Sequence, residues 1–265
     1  MSDKLLVKNN NFQTLQEMFR LKNKFNIIAG PCSIESEEQI EIIAKKLIEH
    51  NIKFIRGGAF KPRTSPHDFQ GLGIEGIKLL HHICKKYSLL SVSEITDVRD
   101  VEESMKYIDI IQIGSRNMQN TDLLKEVGKT KHPVLLKRGM MSTLKEFLLA
   151  AEYIVSNGNT EIVLCERGIR TFETSTRNTL DISSIAIAKK ETSLPVIVDL
   201  SHSLGRKDIL IPVARAMVAL ESDGIMLEVH NNPAKALSDI EQQLSLGEFQ
   251  EFCNSMLPYI IDSID

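Results

Sequence analysis

Six basic residues follow short apolar runs along the chain. They are Arg56, Lys61 and Arg63, with the hydroxyl residues Thr64 and Ser65 directly after them, and then Arg116, Lys137 and Arg167. A cluster of charges usually belongs to a solvated surface, but isolated cations that emerge from apolar runs fit that alternative poorly. Guanidinium groups bind phosphate and carboxylate through paired hydrogen bonds. The set therefore predicts a site for one or two small substrates with several negative charges.

Four residues with metal-binding side chains stand in similar positions. Cys32 lies in the turn Gly30-Pro31-Cys32-Ser33, His202 and Glu228 each end an apolar run, and Asp239 follows in the next segment. One sulfur donor and three harder donors could hold a divalent transition metal such as Mn²⁺, Fe²⁺ or Zn²⁺ and leave a position open for substrate. Cys32 could instead be a small buried apolar side chain. No two of the four residues are close enough in sequence to form a local metal motif.

The apolar runs that precede these residues are the candidate strands. Eight of them are spaced along the chain, at residues 25–29, 53–55, 89–93, 110–113, 133–136, 161–165, 195–200 and 224–227. Helical patterns separate them. Strand and helix in alternation, repeated eight times, predict an α/β fold, a single (β/α)₈ TIM barrel with its catalytic groups at the carboxyl ends of the strands.

The helices are predicted from apolar residues that recur on one face. In residues 37–50, Ile40, Ile43, Ala44 and Leu47 have this spacing, and Ser36 supplies a start signal. Similar faces occur in residues 76–87, 98–107, 121–127, 142–156, 178–189, 208–220 and 233–244. Residues 1–24 are a short N-terminal extension with an amphipathic element around 15–19. Residues 25–265 are the catalytic barrel, which includes a C-terminal helix around 249–260.

The composition agrees with one barrel and excludes several other classes. The chain has 265 residues, 42% of them hydrophobic, which suits the roughly 250 residues of such a barrel. Its 32 basic and 35 acidic residues give a formal charge of -3, so no overall field attracts nucleic acid or an anionic membrane. Residues 1–24 are polar, and no apolar run approaches the ~20 residues of a membrane span. We therefore expect a cytoplasmic protein, and the four cysteines lack the spacing of a disulfide framework.

Five segments together resemble one known family. They are Gly30-Pro31-Cys32-Ser33, Lys61-Pro62-Arg63-Thr64-Ser65, Gly114-Ser115-Arg116-Asn117-Met118-Gln119-Asn120, Leu136-Lys137-Arg138-Gly139-Met140 and Asp199-Leu200-Ser201-His202-Ser203. They closely resemble 3-deoxy-D-arabino-heptulosonate 7-phosphate (DAHP) synthase, in its short class I beta-type form without a regulatory domain. The resemblance implies a metal-dependent barrel that condenses phosphoenolpyruvate with erythrose 4-phosphate, the first step of the shikimate pathway. Because about 24 residues precede the first strand, we expect no built-in feedback control by aromatic products.

The resemblance also implies a role for each matching residue. The metal ligands are matched by Cys32, His202, Glu228 and Asp239. The phosphoenolpyruvate carboxylate site is matched by Arg56, Lys61 and Lys137, its phosphate site by Arg116 and Arg167, and the erythrose 4-phosphate site by Arg63, Thr64 and Ser65. One departure is Asn231, where proline is expected after His230; it affects no proposed ligand.

The implied chemistry requires proton transfer as well as binding. C3 of phosphoenolpyruvate attacks the aldehyde, a bound metal polarises that aldehyde as a Lewis acid, and water adds at C2 before phosphate leaves. Glu94, together with Lys137, is suited to orient this water, although it could instead only pair with a neighbouring cation. Lys61 is either the general acid for the aldehyde oxygen or an anion-binding group alone. The expected catalytic residues are therefore Lys61, Glu94 and Lys137.

Two other functions compete with this one. 3-Deoxy-D-manno-octulosonate 8-phosphate synthase shares the barrel and phosphoenolpyruvate but takes a five-carbon sugar phosphate, and its loop after the second strand resembles Lys-Ala-Asn-Arg-Ser. The second alternative is a non-catalytic barrel that senses sugar phosphates. The loss of a metal ligand would favour it, but all four residues that match the metal ligands are present. We further expect a homo-oligomer, either a dimer or a tetramer, and no nucleic acid or membrane partner.

Overall fold

Eight parallel strands form a closed barrel in chain order, with the last strand hydrogen-bonded to the first. The structure is a computed structural model that describes residues 5–63 and 65–261, and the main chain alone of residues 260 and 261. The strands are β1 Asn26–Gly30, β2 Phe54–Arg56, β3 Leu90–Glu94, β4 Ile110–Ile113, β5 Val134–Lys137, β6 Ile162–Glu166, β7 Val196–Asp199 and β8 Gly224–Glu228. The predicted (β/α)₈ barrel is confirmed.

Helices cover the outside of the barrel. They are α1 Leu6–Asn9, α2 Leu15–Phe19, α3 Glu37–Glu49, α4 Gly73–Tyr87, α5 Val101–Ser104, α6 Thr121–Gly128, α7 Leu144–Ser156, α8 Ile182–Glu191, α9 Leu200–Leu204, α10 Leu210–Ala219 and α11 Leu246–Ile261. Ser36 caps α3 by accepting a hydrogen bond from the Gln39 N–H, and Thr143 and Glu146 form a capping box at the start of α7. Within the described part of the chain, no helix has both the length and the apolar character that a membrane span needs.

The register of the barrel aligns the strand ends that carry the candidate site residues. Gly30 at the end of β1 lies opposite Glu228 at the end of β8, and Lys137 at the end of β5 lies opposite Cys165. Below this level the interior is filled with buried side chains: Ile28, Phe54, Val92, Ile110, Leu135, Val163, Cys165, Ile197 and Met226. The polar strand ends therefore lie next to an apolar, close-packed barrel interior.

The helix predicted over residues 233–244 is wrong. Pro233–Lys235 forms one 3₁₀ turn, and an irregular loop follows in which Asp239 has a φ of 48°. The apolar spacing of this segment misleads because Gln242 and Gln243, which a helix would expose, are buried against the strand ends. α11 packs beside α10 instead and completes the outer ring.

Several other boundaries differ from the prediction, among them the start of α8 at Ile182, which was predicted at residue 178, and two of the differences have a local reason. β7 ends at Asp199 because this residue caps α9, so that Leu200 is helical and not extended. The helix predicted over residues 98–107 is a 3₁₀ turn, Val98–Asp100, followed by the single turn of α5.

The N-terminal segment closes the amino-terminal end of the barrel. Leu15 of α2 is completely buried in the same apolar cluster as Ile28 and Phe54. The Phe19 ring meets the Phe54 ring edge-on, with 5.4 Å between the centroids. Residues that precede the first strand therefore contribute directly to the inner core.

Replacement of Leu15 by alanine should destabilise the whole barrel. Deletion of a fully buried leucine side chain typically costs about 2–5 kcal/mol, because apolar burial is lost and a cavity remains. Urea unfolding of Leu15→Ala should show this loss, while Leu6→Ala, at a side chain that is 39% exposed, should change stability by less than about 0.5 kcal/mol. Equal stability of the two variants would mean that α2 does not seal the barrel.

Candidate active site

The carboxyl ends of the strands surround a cavity of about 330 Å³. Its lining is strongly basic and includes most of the predicted substrate residues: Arg56, Lys61, Arg63, Glu94, Gln112, Arg116, Lys137, Arg167, Arg170, Arg177, His202 and Asp239. The structure thus gathers at one mouth side chains from the ends of, or the loops after, seven strands, β2 to β8. Ser65 does not line this cavity; its hydroxyl accepts a hydrogen bond from the His67 N–H instead. Thr64 lies outside the described residues.

The four predicted metal donors form a tight cluster on one side of the cavity. One ligand atom from each of Cys32, His202, Glu228 and Asp239 lies within 4.8 Å of the others. The Cys32 thiol donates to Asp239 Oδ2 at 3.2 Å, and His202 Nε2 is 3.5 Å from Glu228 Oε1 and 3.6 Å from Asp239 Oδ2. Strand register brings Cys32 and Glu228 together, because β1 and β8 are paired neighbours.

The buried and partly unsatisfied donors of this cluster fit a cation. Burial, together with the charge of Glu228, raises the pKa of the Cys32 thiol to about 12, and burial lowers the pKa of His202. Glu228 Oε1 is buried and has no hydrogen-bond partner among the described residues. A buried carboxylate oxygen without a partner is costly. A divalent ion would satisfy it, and one thiol, one imidazole and two carboxylates suit a transition metal.

Two glutamines that the sequence analysis missed hold the cluster in place. Gln242 Nε2 donates to Glu228 Oε2 at 2.5 Å and to Asp239 Oδ2 at 3.4 Å. Gln243 accepts from the Cys32 N–H at 2.9 Å and donates to the Ser238 carbonyl at 2.8 Å. Their side chains tie the loop after β8 to the turn after β1. In the sequence they look like the polar outer face of a helix, so no local signal marks them.

Arg56 and Lys61 place positive charge directly beside the metal donors. Arg56 Nη1 is 3.2 Å from Glu228 Oε1, yet the geometry makes no hydrogen bond, and Arg56 Nε and Nη1 are buried without a partner among the described residues. Lys61 Nζ donates to the Cys32 carbonyl at 3.0 Å and to Cys32 Sγ at 2.9 Å. Burial opposes the charge of Lys61, but Cys32 and Glu228 outweigh it and raise the pKa of this lysine. Both groups therefore face the cavity as cations.

Glu94 is a half-buried carboxylate at the end of β3 that lines the same cavity. Burial raises its pKa, although Lys61 and Lys137 act in the opposite direction. Within the described residues Glu94 forms no ion pair, and the amide of Gln112 donates to its Oε2 at 3.4 Å. A purely structural pairing with a neighbouring cation is therefore not seen. Gln112 is a further cavity residue that the sequence analysis missed.

The remaining cations come from β4, β5 and β6. Arg116 lies in the 3₁₀ turn Ser115–Asn117 and is exposed, whereas Lys137 and Arg167 are buried. The Arg167 N–H donates to Glu166 Oε1 at 3.1 Å, and Glu166 Oε2 accepts from Arg138 at 2.8 Å. This buried ion pair fixes the backbone from which Arg167 projects.

The fold and the site together define a (β/α)₈ enzyme with a potential metal centre beside an anion-binding cavity. The chain belongs to the DAHP synthetase I family, whose model matches residues 8–258.

Individual relatives agree with this assignment. The chain is 53% identical over 232 residues to phospho-2-dehydro-3-deoxyheptonate aldolase of Thermotoga maritima. The aligned region covers 88% of this chain and 69% of the relative. It is 31% identical over 256 residues to 2-dehydro-3-deoxyphosphooctonate aldolase of Syntrophotalea carbinolica, with 90% and 91% covered. A crystal structure of the DAHP synthase of Thermotoga maritima is similar with a TM-score of 0.94 and 46% identity, and covers 100% of this chain and 79% of that one.

Substitution of Gly114 by alanine should displace Glu94. A Cβ at Gly114 would lie 1.9 Å from Glu94 Oε1, so the carboxylate must move. Because a displacement of about 1 Å can cost about 100-fold in rate, we expect a loss of that order in phosphate release from phosphoenolpyruvate with erythrose 4-phosphate. Gly247→Ala is the control, since its Cβ meets no atom within 4 Å. A fully active Gly114→Ala enzyme would show that the position of Glu94 does not matter for turnover.

Proposed function

We propose that this chain condenses phosphoenolpyruvate with D-erythrose 4-phosphate and water to form 3-deoxy-D-arabino-heptulosonate 7-phosphate and phosphate, the first step of the shikimate pathway. Membership of the DAHP synthetase I family and the 53% identical relative support this activity. The observation that carries the proposal is the cluster of four metal donors, which opens onto the same cavity as the row of cations.

We infer a divalent metal cofactor held by Cys32, His202, Glu228 and Asp239. When bound, the ion would act as a Lewis acid toward the aldehyde of erythrose 4-phosphate. The sulfur donor favours a transition metal, with Mn²⁺, Fe²⁺ and Zn²⁺ as the candidates.

The cations next to the metal donors suit the carboxylate of phosphoenolpyruvate. Arg56 offers two buried donors that lack partners, and Lys61 and Lys137 reach the same cavity. Arg116 and Arg167 would hold the phosphate, because guanidinium groups bind phosphate through paired hydrogen bonds. In this proposal C3 would face the metal donors, where the aldehyde would bind.

Two proton transfers can be assigned to this chain's own residues. The raised pKa of Lys61 keeps it protonated at neutral pH, so it can donate to the aldehyde oxygen as C3 attacks. Water then adds at C2, and Glu94 can accept its proton, with Lys137 orienting the water. Phosphate leaves by cleavage of the bond between C2 and its oxygen.

The erythrose 4-phosphate end would be held by the loop that carries Arg63, Thr64 and Ser65, of which Arg63 lines the cavity. Arg63 supports this role because it lines the cavity, and its one ion pair among the described residues, to Asp68 at 3.4 Å, is a loose one. Pro62 has a fixed φ and restricts the backbone of Lys61 before it, so we expect the loop to present these groups at a set distance from the metal donors.

We also propose a cytoplasmic homo-oligomer, a dimer or a tetramer. All four cysteines are free thiols, which suits a reducing compartment. Met141 and Phe172 are 81% and 97% exposed, and their loops are joined by a hydrogen bond from the Arg170 N–H to the Met140 carbonyl. Apolar side chains exposed together in this way are typical of a contact between subunits.

Removal of metal should abolish turnover, and Mn²⁺ should restore it. Cys32→Ala and His202→Ala should remain folded but nearly inactive, because each removes one donor from the cluster. Cys84→Ala, at a buried thiol outside the cavity, is the matched control and should keep both activity and metal dependence. Full activity in a sample shown by elemental analysis to be free of metal would contradict the proposed chemistry.

Erythrose 4-phosphate should be preferred to arabinose 5-phosphate by about 10-fold or more in kcat/KM. A constrained loop cannot place its cation correctly for both sugars, and one misplaced charged hydrogen bond costs roughly 1.5–3 kcal/mol. Arg63→Ala should raise the KM for the aldehyde far more than the KM for phosphoenolpyruvate, whereas Arg215→Ala on the outer wall should change neither. Equal use of the two sugars, or an Arg63→Ala defect confined to phosphoenolpyruvate, would show that the substrate assignment is wrong.

A further inference from the structure

We propose that Asp199 is a positioning residue that holds both the metal ligand His202 and the substrate-binding Lys137 in their working orientations. The inference rests on the proposed function and adds a residue to which no role has been given. Asp199 ends β7, is completely buried and caps α9.

One oxygen of Asp199 serves two different parts of the site. Oδ2 accepts a hydrogen bond from Lys137 Nζ and another from His202 Nδ1, the latter at 2.8 Å. Oδ1 accepts from the His202 N–H at 3.0 Å. The carboxylate therefore fixes the backbone and the ring of His202, and the end of the Lys137 side chain as well.

The bond to Nδ1 determines which nitrogen of His202 faces the other metal donors. Because Nδ1 carries the proton that Asp199 accepts, the neutral ring presents the lone pair of Nε2 to the cluster formed with Glu228 and Asp239. Histidines that bind a metal through one ring nitrogen are commonly oriented by a hydrogen bond from the N–H of the other ring nitrogen. Loss of that bond typically lowers metal affinity by about 10–100-fold.

The bond to Lys137 gives Asp199 a second, separable effect. Lys137 is buried at the end of β5, and Asp199 is its only ion-pair partner among the described residues. Without this carboxylate, the long lysine side chain loses the contact that keeps its charge at the cavity wall. Replacement of Asp199 should therefore weaken phosphoenolpyruvate binding through Lys137 and metal binding through His202.

If Asp199 acted only through its charge, its replacement would have the opposite effect on phosphoenolpyruvate binding. Removal of a negative charge from the wall of a site should strengthen the binding of an anion, so Asp199→Asn should bind phosphoenolpyruvate more tightly if Asp199 acts only through its charge. A positioning role predicts weaker binding. Asp199→Glu keeps the charge but moves the carboxylate by one methylene, so it should show the same defects.

The test measures binding without turnover. Mn²⁺ affinity is measured by electron paramagnetic resonance, and phosphoenolpyruvate affinity by calorimetry at saturating Mn²⁺, in the wild type, Asp199→Asn, Asp199→Glu and Lys137→Met. We expect at least about 10-fold weaker Mn²⁺ binding in both Asp199 variants. Phosphoenolpyruvate binding should weaken by a similar factor, and in the double variant, measured in the same way, Asp199→Asn should add little to the defect of Lys137→Met.

Asp109→Asn is the matched control. This carboxylate accepts hydrogen bonds from the Ser91 N–H and hydroxyl, at 2.8 and 2.7 Å, at the amino-terminal end of the barrel. Asp109→Asn should change the stability of the protein but not its affinity for Mn²⁺ or for phosphoenolpyruvate. Unchanged or tighter phosphoenolpyruvate binding in both Asp199 variants, or unchanged Mn²⁺ binding, would overturn the inference. A wild-type protein that binds no phosphoenolpyruvate would instead overturn the proposed function.

Discussion

Opposite charges buried side by side at the strand ends are the constraint on which this site depends. Arg56 Nη1 and Glu228 Oε1 lie 3.2 Å apart. Among the described residues, however, no hydrogen-bond partner is found for these two atoms or for Arg56 Nε. A buried ion pair stabilises a fold only when its remaining donors and acceptors are also satisfied. The cavity is therefore built to be completed by ligands: a cation on the carboxylate side and an anion on the guanidinium side.

The barrel can hold these groups because its rigidity comes from elsewhere. The apolar interior below the mouth and the paired strands fix the position of each strand end. Buried polar side chains then orient what the strands deliver: Gln242 and Gln243 hold the metal donors, Glu166 with Arg138 fixes the backbone of Arg167, and Asp199 holds His202 and Lys137. A site whose ligands are held in advance loses less entropy when substrate binds.

The sequence predicts the barrel well because each strand is a separate apolar run. It also predicts the metal donors and the cations, since polar residues directly after such runs must meet at one end of a closed parallel barrel. It fails where a polar side chain turns inward from a loop. Gln242 and Gln243 resemble the outer face of a helix, and Gln112 and Asp199 are single polar residues whose partners are far away in sequence. Only the tertiary structure shows that Ser65 does not line the cavity that Arg63 lines.

We propose that the buried donors Cys32, His202, Glu228 and Asp239 bind one divalent cation together. X-ray absorption spectroscopy of the protein loaded with one equivalent of Co²⁺ tests this claim directly, because sulfur is distinguished from nitrogen and oxygen in the first coordination shell. We predict one sulfur neighbour together with nitrogen and oxygen neighbours, and loss of the sulfur alone in Cys32→Ser. A first shell that contains only nitrogen and oxygen in the wild type would contradict it.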